Sequence, residues 1–122
     1  MLSFLSRKPR RPEDRRERAI RFVGEQDGPI ERRLKTDLHE ILGAQPDIRT
    51  AYLARVTYDD PKVREVVLAL RSSSGEDLDL VRRVADCFAR HFHREVHMDI
   101  LFLSDVQEAE VLSVCPPFYR AV

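Results

Sequence analysis

The sequence predicts an α+β fold: a ferredoxin-like βαββαβ sandwich with an antiparallel sheet, two helices on one face and an extra C-terminal segment. Three observations lead there. Strand-like and helix-like hydrophobic periods follow one another in the order β, α, β, β, α, β. The run from Val63 to Arg71 is apolar on both alternating sets, Val66, Leu68 and Leu70 on one and Val67 and Ala69 on the other, as a central strand covered on both faces requires. Finally, 122 residues, 43% of them hydrophobic and 34% charged, suit one hydrophobic core, because a chain of this size buries about two-thirds of its unfolded surface.

Each element has its own signal. Residues 1–18 carry Pro9 and Pro12 and little hydrophobic period, so they read as a flexible or marginally helical arm in front of a single domain over 19–122. Ala19 to Val23 is a short β-prone run closed by Gly24. Asp27 or Gly28 caps a helix with Pro29 in its first turn, and Ile30, Leu34, Leu38, Ile41 and Leu42 form its apolar stripe before Gly43 ends it. Ala51 to Tyr58 has the β-branched and aromatic content of a strand, and Asp59-Asp60-Pro61-Lys62 turns it back into Val63 to Arg71 as a hairpin. Ser74 or Asp77 caps the second helix, with Leu80, Val81, Val84, Phe88 and Phe92 along one side. Val96 to Leu103 is the fourth strand, and a short piece around Val111 to Val114 leads into Pro116-Pro117-Phe118-Tyr119. In a ferredoxin-like sheet the first and third strands are central, and the face holding Leu101 and Leu103 needs a cover from the C-terminal segment or another chain.

The zero net charge conceals a polarity. Residues 1–22 hold eight basic side chains against three acidic ones, whereas the rest of the chain holds 13 basic and 18 acidic. Phosphates are therefore attracted to the arm and repelled by the body, which disfavours nucleic-acid binding by the folded part. No apolar run approaches the roughly 20 residues of a membrane span, and Met1 to Leu5 precedes the basic cluster, the reverse of a secretory signal. Cys87 and Cys115 lie too far apart for a CxxC pattern and read as reduced core thiols, which places the protein in the cytoplasm.

The strand Ala51-Tyr52-Leu53-Ala54, the strand Val66 to Leu70, Met98-Asp99-Ile100 and the near-terminal Pro117-Phe118-Tyr119 occur in an order that resembles the C-terminal domain of the enhanced serine sensitivity protein family, SseB. The resemblance runs from about Ala19 to Tyr119 and rests on the combination, not on any one motif. It implies an α+β fold, a cytoplasmic setting and a link to serine tolerance, with no defined catalytic residue or cofactor. Members carry a further domain in front of this one, where the present chain has its basic arm.

Few residues carry chemistry. His91, His93, His97 and Asp99 offer four potential metal ligands within nine residues, but the spacing matches none of the strong zinc patterns, and histidines at a helix end with an ordinary surface pair account for them more simply. Cys87 and His91, four apart on a helix, can form a thiolate–imidazole pair, set against Cys87 simply belonging to the apolar stripe. The four glycines make neither GxxxxGK[ST] nor GxGxxG, which excludes nucleotide binding by those loops. Arg10, Arg11, Arg15 and Arg16 of the arm are candidates for an acidic partner, a phosphate backbone or an anionic surface; Leu101, Leu103, Phe118 and Tyr119 are candidates for a protein partner, with a packed tail as the rival account of the last two. The expectation is a non-catalytic interaction module needing no cofactor, self-associating or binding another protein. Two alternatives stand beside it: a small metal-dependent enzyme or sensor built on the histidine cluster, and an arm-driven binder of nucleic acid or an anionic surface.

Overall fold

The computed structural model describes residues 20–92 and 98–122. In chain order it contains β1 (Arg21–Glu25), α1 (Pro29–Gly43), β2 (Ile48–Thr57), β3 (Glu65–Ser72), α2 (Leu78–His91), β4 (Met98–Phe102), α3 (Asp105–Leu112) and β5 (Tyr119–Arg120). The six elements expected up to β4 are all present, with ends displaced by a few residues. Two further elements follow: α3 and β5.

Local chemistry sets the helix starts. Asp77 accepts from the backbone N–H groups of Asp79 and Leu80, the capping expected at that position, and α2 runs from there to His91. Ser104 and Gln107 form a complete capping box, the Ser-x-x-Gln signature that starts α3. Helix α1 instead begins behind Gly28, whose φ of 157° and ψ of 176° lie in a region that side chains disfavour, with Pro29 supplying the pre-set first turn. A Cβ at this glycine meets the Glu31 carboxylate at 2.5 Å. We expect Gly28→Ala to lower stability by about 1–2 kcal/mol, read as a lower urea midpoint at unchanged m-value.

The sheet is mixed, with strand order β1-β2-β3-β4 and β5 added beside β2. Here the structure corrects the expectation. The β2–β3 hairpin is antiparallel, from Val56↔Glu65 to Ile48↔Ser72, and β1 and β5 share the other side of β2 end to end. The β3–β4 pair is parallel, from Val66↔Met98 to Leu70↔Phe102. The central strands are thus β2 and β3, not the first and third, and the sheet is not wholly antiparallel as a ferredoxin-like arrangement requires. The reason is local. Once the hairpin occupies one edge of β3, the chain returning through α2 pairs along its free edge, and a helical crossover delivers the next strand parallel to the last.

Both faces of the sheet carry core. On one, Ala51, Leu53, Leu68, Leu70, Met98 and Ile100 pack against Leu34, Leu38 and Leu42 of α1 and Leu80, Val84, Cys87 and Phe88 of α2, so the two long helices do share a face. On the other, Tyr52, Ala54, Val56, Val67, Ala69, Leu101 and Leu103 cluster with Val111 of α3 and Cys115. The alternation read along β3 therefore sorts its residues onto these two faces.

Polar contacts fasten α3. Glu108 accepts from the hydroxyls of Thr50 (2.5 Å) and Tyr52 (2.9 Å), and the Arg71 guanidinium donates to the Leu103 carbonyl at 3.0 Å and pairs with Asp105. Burial, and the carboxylate beside it, push the Tyr52 phenol up from its ordinary pKa.

Candidate functional site

The alternation of a strand separates two residues that the sequence places together. Asp99 lies on β4 between Met98 and Ile100, both of which face the helices, so its own side chain belongs to the opposite face. There it is buried and accepts a 2.9 Å hydrogen bond from the Tyr58 hydroxyl. His91 closes α2 in the layer over the first face. The sheet thus stands between His91 and Asp99, and the two do not meet in one ligand set. His93 and His97 lie outside the described residues, as do Arg10, Arg11, Arg15 and Arg16.

His91 is engaged elsewhere. Its Nε2 lies 2.6 Å from Oδ2 of Asp37, which projects from α1 where that helix runs beside α2. Cys87 sits one turn before His91 on α2, and its Sγ, an Asp37 oxygen and a His91 ring nitrogen all fall within 4.8 Å of one another. Burial pushes the Cys87 thiol up from its ordinary pKa, the Arg90 charge pulls it down and Asp37 adds to the rise. The residues offer a thiol, an imidazole and a carboxylate at one place, with Asp37 half-exposed at the rim and Cys87 fully buried at the base. The i, i+4 pair Cys87–His91 is legible in the sequence. Asp37 is not, because 54 residues separate it from His91 and no local pattern ties the two.

The C-terminal tail packs down. Phe118 and Tyr119 are half-buried against the first core, β5 is held to β2 by Phe118 N–H donating to the Ala51 carbonyl and Ala121 N–H to that of Arg49, and the Tyr119 hydroxyl donates to the Leu42 carbonyl. His39 of α1 approaches the Phe118 carbonyl at 2.6 Å and meets the Tyr119 ring edge-on at 5.4 Å. Leu101 and Leu103 are each only 7% exposed and sit in the second core, so the C-terminal segment supplies the cover that their face needs and little of either side chain remains at the surface.

A cleft of about 140 Å³ opens beside Phe88 and Phe92, floored by Leu34, Leu53 and Val66, with Gln26 donating to Glu31 at its rim. Small-molecule sites usually run to ~300–1,000 Å³, so this one is small, and its walls are mostly apolar. The two phenyl rings stack at 4.5 Å and 12°. Cys115 is buried in the other core, its thiol pushed up to about 11 chiefly by burial, which leaves it a poor nucleophile at neutral pH.

These elements define an α+β domain with a five-stranded mixed sheet covered on both faces. No helix among the described residues is long and apolar enough to cross a membrane. No family model, no curated protein and no solved structure matches the chain.

Proposed function

We propose that this protein is a non-catalytic, cytoplasmic interaction module of the SseB C-terminal type, and that it self-associates through the open edge of its sheet. The observation that carries the reading is the position of β4. It ends the strand order, pairing with β3 on one side, and among the described residues no strand pairs with its other side. A strand of this kind presents unpaired N–H and C=O groups to any second strand. Neither proline nor lysine, the residues that commonly blunt such an edge, occurs within Met98–Phe102. Two copies related by a twofold axis satisfy the same edge twice, antiparallel and without an open end.

The two buried free cysteines agree with a reducing compartment. Core fills both faces of the sheet among the described residues, and the cleft beside Phe88 is small and apolar, so edges and surfaces are where this reading places binding. Sedimentation of the full chain and amide hydrogen exchange test the reading together. We expect a dimer in the micromolar range, with exchange across residues 98–102 slowing as protein concentration rises while α1 and α2 are unaffected. A monomer well above micromolar concentration, with concentration-independent exchange at those residues, removes the self-association.

A further inference from the structure

We infer that Asp37, Cys87 and His91 form a binding site for a zinc ion at the junction of α1 and α2. The argument starts from donor chemistry. Zinc is borderline-soft and accepts thiolate, imidazole and carboxylate in one tetrahedral shell, three protein ligands leaving a fourth position for water or a further ligand. Bond lengths of ~2.0–2.3 Å place tetrahedral ligands roughly 3.3–3.8 Å apart. The three donor atoms here already lie within 4.8 Å of one another, so rotamer adjustment of exposed Asp37 and partly exposed His91 brings them into that range. They come from two helices, both anchored to one core through Leu34 and Leu38 beside Asp37 and through Val84 and Phe88 beside Cys87, so the framework is fixed before a metal arrives.

A second observation separates this cluster from an accidental ion pair. Both cysteines are buried, but Cys115 donates its thiol hydrogen to the carbonyls of Leu53 and Pro116. Cys87 makes no such carbonyl bond among the described residues; it is 0% exposed, and its polar neighbours are the Arg90 guanidinium, which hydrogen-bonds its sulfur, an imidazole and a carboxylate. A sulfur set among ligating groups, with a guanidinium that favours its thiolate, is placed to bind a metal in that form. Binding displaces the thiol proton to solvent and replaces the His91–Asp37 hydrogen bond with two coordinate bonds, so affinity rises with pH. The Arg90 guanidinium acts in both directions here, favouring the thiolate and repelling the cation.

The site is independent of the β4 edge and stands or falls separately from self-association. Cobalt(II) chloride, added to full-length protein purified without a metal-affinity tag, is the probe. One equivalent is expected to give a thiolate-to-cobalt charge-transfer band and the intense visible bands of tetrahedral cobalt, both abolished by zinc chloride. Cys115→Ser retains the spectrum and Cys87→Ser loses the charge-transfer band. Because Cys87→Ser alters the core, Asp37→Asn at the half-exposed rim is the second variant: its circular dichroism stays native while cobalt affinity falls about tenfold or more. A missing charge-transfer band, a band that follows Cys115 instead, or unchanged affinity in Asp37→Asn overturns the inference.

Discussion

Replacing Phe88 by alanine is expected to lower the free energy of unfolding by about 3–5 kcal/mol. Phe88 is 1% exposed at the centre of the core between α2 and the sheet, and its ring stacks on Phe92 at 4.5 Å. Truncation removes the transfer energy of the ring and leaves a void next to the existing cleft, lined by rigid neighbours from β2, β3 and α1. Domains of this size have only ~5–15 kcal/mol in total, so the variant loses a fifth or more of its stability, and its melting temperature falls by ~10 °C or more. Urea denaturation followed by circular dichroism measures it. Leu78→Ala on the same helix, at a residue 72% exposed, is the control and should shift stability by no more than about 0.5 kcal/mol. A Phe88 variant within 1 kcal/mol of wild type would contradict a packed helical face.

Tyr52→Ala tests the opposite face, with a similar loss of about 3–5 kcal/mol. Tyr52 is 1% exposed, fills the core of that face and donates its hydroxyl to Glu108. The alanine variant removes the ring and also leaves Glu108 with Thr50 as its one short hydroxyl donor. Tyr52→Phe divides the effect: the ring stays and the hydrogen bond goes, for about 1–3 kcal/mol because the acceptor is charged. Since Glu108 lies on α3, hydrogen exchange in both variants should accelerate across Asp105–Leu112 more than across α1. Uniform acceleration would mean that α3 is not held by this contact.

Together the two variants ask whether the sheet has two cores, and the proposed function depends on the answer. With both faces filled by the chain's own side chains, a partner meets the outer edge of β4, the helix surfaces or the rim at Asp37 and His91. Failure of the Tyr52 variant to lose stability would reopen the second face, with Leu101 and Leu103, as a surface for another protein.

Much of the molecule is legible from local pattern. The stripe Leu34, Leu38 and Leu42 and the stripe Leu80, Val84 and Phe88 are the buried faces of α1 and α2, because a helical period places them in line. Asp77 is a cap because a carboxylate before an apolar run satisfies open N–H groups. Helix α3 carried an equally local sign in Ser104 and Gln107, overshadowed by its weak apolar period, and β5 at two residues is too short to have a period at all.

The sequence by itself thus determined the elements up to β4 and the side of each strand that meets the helices, since both follow from the spacing of apolar residues along a few turns or pleats. Only the tertiary structure decided which strands became neighbours, that β4 runs parallel to β3, that Asp99 and His91 part company across the sheet and that Asp37 joins Cys87 and His91. Those outcomes depend on contacts between residues dozens of positions apart, whose energies arise when elements pack and leave no trace in the local periodicity of either partner.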